Sequence, residues 1–340
     1  MTPAEGRTGR REDGPPGEAL LYLSRADVAA LGLSMAEVVA AVEEGCRLKG
    51  EGAVAMPPKM TLAGEGDAFA QAMAAWLRGA EAGVKWVTVV PANRARGREA
   101  VNGLLVLSDG ESGLPLAVMD AALVTALRTG ASVAVAARFL ARPDVARVGV
   151  LGCGVQGRRA VEALRVVLPG LAVVRCHDPD PEAVAALAAV CEGLTPPLRL
   201  EVCGRATEVG CGAGVVVTAI TMGAGPPPLD ETVLEPGALA VALDYDAAWT
   251  PAAMRSCDRF FCDDAAAVVA TKAAGRRLAG VPETIAGDLG DLATGRVPGR
   301  RDGQERLFCL NLGMAIEDVV TARLVLGRAR ERGLGTTLPL

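Results

Sequence analysis

The stretch ARVGVLGCGVQGRRAVEAL, residues 146–164, decides the fold. A short apolar run ends at Leu151. Gly152, Gly154 and Gly157 follow in G-x-G-x-x-G spacing, and an alternating apolar and charged segment then reads as a helix. In a chain with 41 glycines such spacing often arises by chance. Its setting is what raises it: a strand before, a helix after, and a second strand, AVVRCHD, ending in Asp178 about 20 residues beyond the last glycine. Glycines there permit a tight turn and close approach of backbone to a pyrophosphate. The N–H groups of Val155, Gln156 and Gly157 at the helix start would then face the phosphates. Asp178 is placed to accept from both adenosine ribose hydroxyls and to repel a 2′-phosphate, which favours NAD; Arg158 and Arg159 nearby leave NADP open. The alternative is a glycine-rich turn that binds nothing. His177, beside Asp178, reads as a rim residue or plain surface.

Downstream, helical and strand-like segments alternate at short intervals: PEAVAALAAVCEG, LRLEVC, AGVVVTAIT, GALAVALDYD and DRFFCDD. This pattern predicts a doubly wound parallel sheet. Thr218 and Thr221, at the end of AGVVVTAIT, fall where such a fold passes the nicotinamide ribose, or else cap a strand-to-loop turn. Upstream, LLYLS opens with a strand and Ser24 as helix N-cap, and Ser34 with Glu37 forms a capping box. AGVKWVTVVP and NGLLVLSDGESGLPLAVMD read as strands, with a hairpin at Asp109–Gly110 and Ser112–Gly113. A long Ala-rich helix is expected from Asp120 to Leu140. The segment RLFCLNLGMAIEDVVTARLVLGRARERG returns a strand and a long helix.

Hydrophobic residues make up 51% of the 340 positions and aromatics 3%, so the core must be built from Ala, Val and Leu, which suits buried parallel strands. With 40 acids against 35 bases and no basic block, no nucleic-acid partner is expected. Nine cysteines without a C-x-x-C pair argue against a disulfide framework or zinc knuckle, and one histidine against a His-based metal site. The chain is read as reduced and cytosolic. No uninterrupted apolar run is read as a bilayer span, so no membrane partner is expected. Residues 1–18, polar and rich in Gly and Pro, are read as a disordered tail.

Between Leu114 and Ala141 the only charged residues are Asp120, Arg128 and Arg138. A guanidinium in so apolar a setting needs an anion, because burying it unpaired costs several kcal/mol or more. Two anions fit. One is a ligand carboxylate, gripped by two parallel hydrogen bonds. The other is an internal ion pair with Asp120, two helical turns earlier.

Several segments together resemble the ornithine cyclodeaminase/mu-crystallin family: MPPK (56–59), VKWV (84–87), SDGESGLPLAVMDAALVTALRTGAS (108–132), LGCGVQG (151–157) and LNLGMAIEDVVTA (310–322). The resemblance implies an α/β chain with two parts. Residues 131–309 would form a Rossmann-type NAD-binding domain. Residues 19–130 and 310–340 would form an α+β substrate and dimerisation domain of a homodimer. It further implies a small amino- or imino-acid substrate. Arg128 takes the place of a carboxylate-binding arginine beside the cofactor, and Lys59 that of a second carboxylate contact where many members have arginine. Lys85 matches an active-site lysine; on a buried strand its pKa should fall, which suits a proton shuttle. The family's acid after the fifth strand falls on Asp246, with Asp244 as the alternative, although the usual GxD context is absent. Asn311 and Leu312 match positions that pack on the nicotinamide. By resemblance the expected activity is an ornithine cyclodeaminase-like deaminating cyclisation with hydride return; the alternative is an NAD(P)H-dependent amino-acid dehydrogenase or imine reductase, and the third reading is a non-catalytic NAD(P)H-binding protein.

Overall fold

The computed structural model describes residues 19–221, 225–275 and 277–340; the expected tail, residues 1–18, lies outside the described residues. The N-terminal part runs β1 (Ala19–Leu23), α1 (Arg25–Ala30), α2 (Met35–Gly50), β2 (Val54–Ala55), β3 (Met60–Ala63), β4 (Phe69–Leu77), β5 (Glu81–Val89), β6 (Val101–Asp109), β7 (Pro115–Asp120) and α3 (Ala121–Leu140). It continues with β8 (Arg147–Leu151), α4 (Val155–Val167), β9 (Val173–His177), α5 (Pro181–Gly193), β10 (Arg199–Val202), β11 (Val215–Thr218), β12 (Leu239–Ala242), α6 (Pro251–Arg255) and β13 (Arg259–Cys262). The last elements are α7 (Ala265–Ala273), β14 (Gly287–Asp288), α8 (Leu289–Ala293), β15 (Leu307–Leu310), α9 (Ala315–Arg332) and β16 (Thr336–Pro339).

Two sheets carry the architecture. The first has the order β16-β1-β7-β6-β5-β4-β2, with β3 also on β4. Its pairings are antiparallel except β1 with β7. Both expected caps form: Ser24 closes a capping box with Asp27, and Ser34 with Glu37. The β6–β7 hairpin turns where Asp109 Oδ1 accepts from Ser112 N at 2.7 Å. The C-terminal segment returns to this sheet, as β16 pairs with β1 at its edge.

The second sheet has the order β10-β9-β8-β11-β12-β15-β13-β14, and every pairing is parallel. Strands β11, β12 and β15 are buried along their whole length, which explains their continuous apolar sequences. The order reverses between β8 and β11, which places the binding crevice at their carboxyl ends.

Helices α3 and α9 cover the inner face of the first sheet, α2 packs on both of them, and α3 also packs on α4 of the second. α3 runs unbroken through positions 130 and 131. By length and a mean hydropathy of 1.3 it meets the composition of a bilayer span, although Arg128 interrupts its apolar run. Here 72% of that window is buried inside the fold, so its apolarity serves the core.

Candidate active site at the carboxyl edge of the parallel sheet

The glycine turn follows β8. Gly152 takes φ +96, open to glycine but strained for other residues. A Cβ there would lie 2.5 Å from the Ala219 carbonyl oxygen, and one on Gly157 would lie 2.0 Å from the Gly152 carbonyl oxygen. These two glycines are needed by the fold itself. Gly154 differs: a Cβ on it would meet nothing within 4 Å. It is the N-cap of α4 and supplies no side chain to cap the helix. An open approach and an uncapped helix start fit a pyrophosphate. Beside the turn, at the end of β9, Asp178 accepts from Cys153 N at 2.7 Å and from Asp180 N at 2.9 Å. Asp178 is thereby fixed against the glycine turn. His177 lies at the same strand end, with Nδ1 3.0 Å from the Cys203 carbonyl oxygen.

Lys85 and Arg128 come from different elements and meet in the core. Along β5 the side chains alternate, so Val84 and Trp86 face outward, exposed, while Lys85 points inward and is 1% exposed. Its Nζ lies 2.9 and 2.8 Å from the two oxygens of Asp318, in the first turn of α9. Arg128, on α3, donates from Nε to the same Asp318 Oδ1 at 3.0 Å and from Nη1 to Glu317 Oε2 at 2.8 Å. All four side chains are buried.

The anion sought for Arg128 is therefore, within the chain, the acid pair of α9. Asp120 plays no part: it caps α3 by accepting from Leu123 N at 2.8 Å. The two-pronged grip expected on a ligand is directed at Glu317 and Asp318; among the described residues Nη2 makes no hydrogen bond. Gly313, at φ +87, makes this possible, because a Cβ there would lie 2.5 Å from Arg128 Nη1. Burial and the neighbouring Arg128 charge lower the Lys85 pKa to about 8, in the expected direction. Burial raises Glu317 to about 7 against the pull of Arg128, and its Oε1 has no hydrogen-bond partner among the described residues.

Lys59, just before β3, reaches across to donate to the Leu312 carbonyl oxygen, and its Nζ stands 5.9 Å from the centre of the Tyr245 ring. Asn311 is pinned to α3 by donating to Ser132 Oγ at 3.0 Å. Thr218 donates to Asp244 Oδ1 at 3.0 Å, so its hydroxyl ties β11 to the β12 loop, the capping role left open above. Asp244 also accepts from Ile220 N at 3.0 Å; burial raises it to about 6. Thr221 is exposed, directly ahead of the undescribed residues 222–224.

Asp246 lies on the other side of Tyr245, whose left-handed φ of +59 sends the two aspartates to different neighbours. It accepts from Leu278 N at 2.7 Å and lies 3.6 Å from Arg277 Nη1. Asp263, absent from the reading of the sequence, follows β13. It is fully buried, is raised to about 6 by that burial, and accepts from Gly313 N. Glu317 and Asp318 were missed as well. Their signal was present: two adjacent acids, in IEDVV, opening an apolar helix.

The glycine turn at the switch point places the chain in a class, the two-sheet α/β proteins that bind a dinucleotide at the carboxyl edge of a parallel sheet. Within that class it belongs to the ornithine cyclodeaminase/mu-crystallin family, whose model matches residues 20–333. It is similar to the nodulation efficiency protein NfeD of Rhizobium meliloti, at 33% identity over 93% of this chain and 97% of the relative. Among solved structures it is similar to the Δ1-pyrroline-2-carboxylate reductase of Thermococcus litoralis in complex with NADH and L-proline. The TM-score is 0.84 at 27% identity, covering 93% of this chain and 99% of that one. It is also similar to an archaeal alanine dehydrogenase dimer with bound NAD, with TM-score 0.83 at 30% identity over 95% and 99% of the two chains.

Proposed function

We propose that this protein is an NAD-dependent enzyme acting at the α-carbon of a small α-amino or α-imino acid. The observation that carries the reading is the convergence of Lys85 and Arg128 on one aspartate, beneath the first sheet. NAD, when bound on the glycine turn, supplies the hydride exchange at the α-carbon. The chain's own residues do the rest. Arg128 offers a fixed cation for the substrate carboxylate, and Lys59 a second, as a point charge without the fork of an arginine. Lys85, near half-protonated in mildly alkaline solution, can give or take the proton at the substrate nitrogen. The buried wall behind both groups keeps water from them. An intact lysine and arginine are more than a protein that merely binds NAD(P)H would need.

Single hydride transfer, as in a dehydrogenase or imine reductase, fits the geometry better than deaminating cyclisation. A cyclodeaminase needs a carboxylate free to receive the distal amine. Asp246 instead accepts from Leu278 N and sits beside the Arg277 cation, which repels a second ammonium group. The lyase reading is kept as second because Asp246 is part-exposed at the rim. The experiment is incubation with NAD⁺ and alanine, proline, ornithine or lysine, following NADH absorbance and ammonia. Net NADH formation supports single transfer. Ammonia from a diamino acid without net NADH supports cyclisation, and turnover of none of these or of cyclic imines with NADH overturns the reading.

Assembly as a homodimer belongs to the same proposal. The outer face of the first sheet exposes Trp76, Val84, Trp86 and Leu104, with Trp86 directly opposite Leu104 across the ladder. A groove of about 400 Å³ runs over Trp76 and Val84. An apolar face of this kind on a sheet calls for a partner, and the similar alanine dehydrogenase is a dimer. Light scattering should give about twice the 34.7 kDa chain mass; a monomer at micromolar concentration would count against it. The nine free thiols are in keeping with a reducing, cytosolic setting, which targeting of a tagged protein would test.

A further inference from the structure

We infer that Asp318 is the positioning residue of the site, holding the proton-shuttle lysine and the carboxylate-binding arginine in register through one carboxylate. The inference rests on the functional reading above for the roles of Lys85 and Arg128, but its geometry stands apart from it. Lys85 comes from β5 and Arg128 from α3, two elements that pack on each other, and one carboxylate joins their charged ends. Asp318 Oδ1 accepts from both, at 2.9 and 3.0 Å, and Oδ2 lies 2.8 Å from Lys85 Nζ. Glu317 holds only the far edge of Arg128, and its own backbone contact is the Met314 N–H at 3.2 Å. Both acids lie in the first turn of α9, where the helix dipole favours negative charge.

The charged groups that face Lys85 are Asp318 from α9, Arg128 from α3 and Lys59 from the segment before β3. Its ladder neighbours, Met73 and Leu105, are apolar. Of the three, only Asp318 favours the ammonium form; burial and the two cations oppose it. Without the Asp318 charge Lys85 would lose its proton at lower pH, and Arg128 would lose one of its two anchors. Asp318 thus acts on the reaction through Lys85 and Arg128 and does not touch the reacting atoms.

The test uses the full-length protein labelled with ¹³C at the lysine ε-carbons. The chain has four lysines, Lys49, Lys59, Lys85 and Lys272, so the signals can be assigned by substitution. In Asp318→Asn the Lys85 midpoint should fall by about one unit or more. The Lys85 limb of the kcat/KM pH profile should move down by the same amount, with NAD binding unchanged. A midpoint equal to that of the wild type overturns the inference, whatever happens to the rate. A shifted midpoint in a protein that turns over no amino or imino acid supports the positioning role and counts against the functional reading alone. Should Asp318→Asn fail to fold, Asp318→Glu keeps the charge and displaces it by one methylene. It should leave the Lys85 midpoint in place and lower kcat/KM by about tenfold or more; unchanged kcat/KM would then overturn the inference.

Discussion

The two halves of the site are built from opposite materials. The nucleotide end is backbone: a glycine turn, an uncapped helix start and one aspartate that accepts two main-chain N–H groups. The end proposed for the substrate is charge: two basic and two acidic side chains enclosed among the helices and strands of the first sheet. A backbone site depends on steric room and tolerates loss of ligand without penalty to the fold. A buried charge cluster is stable only while every member is present, because each ion has given up its hydration for its partners. Function and folding are therefore separable at the first end and entangled at the second.

The largest expected effect breaks the cluster. Arg128→Ala leaves Glu317 and Asp318 facing Lys85 alone, and stability should fall by about 3–5 kcal/mol in denaturant unfolding. On the sequence alone, with a ligand as the arginine's anion, the same substitution should spare the fold. A wild-type unfolding midpoint with lost activity would restore that view and end the contrast between the two ends.

A smaller effect separates two glycines of one turn. Gly157→Ala places a methyl group 2.0 Å from the Gly152 carbonyl oxygen, so the turn must shift, at a cost of about 1–3 kcal/mol by thermal melting. Gly154→Ala meets nothing within 4 Å and should melt as the wild type does. It should weaken NAD binding by about tenfold, ~1.4 kcal/mol by calorimetric titration, since the added methyl fills the approach to the phosphates. Equal behaviour of the two variants would remove the distinction between fold glycine and ligand glycine.

A last effect sharpens the electrostatic side. Glu317 is raised from 4.5 to about 7 by burial, so the folded protein holds a proton that the unfolded chain has released. Its contribution to stability is present below pH 4.5 and is lost as pH rises through about 7. Asp244 and Asp263, both raised to about 6, act in the same direction between pH 3.8 and 6. Unfolding free energies measured across pH 4.5–7 should therefore decline less steeply in Glu317→Gln than in the wild type. An identical slope would show that Glu317 is ionised in the folded state throughout.

What was legible in the sequence was whatever is decided within a few residues. The glycine spacing, the N-cap at Ser24, the capping box at Ser34, the hairpin at Asp109 and the continuous apolar strands of the parallel sheet all depend on neighbours in the chain, and all are present in the structure. Strand β4, FAQAMAAWL, was not legible: alanines on both faces erase the alternation that marks a strand. Nor was β16, a short exposed edge strand held by its ladder to β1.

The sequence by itself determined that Arg128 lies in an apolar helix and must meet an anion. An apolar helix leaves the Arg128 side chain no solvent to reach, whereas in the sequence Lys85, between Val84 and Trp86, is placed inward only by the family resemblance. Only the tertiary structure decided which anion. Asp120 was near in sequence but committed to capping its own helix, whereas Glu317 and Asp318 lie 189 and 190 residues away and are brought in by the return of α9. The physical reason is that a buried charge is satisfied by distance in space, to within about 3 Å, and chain separation carries no information about that distance.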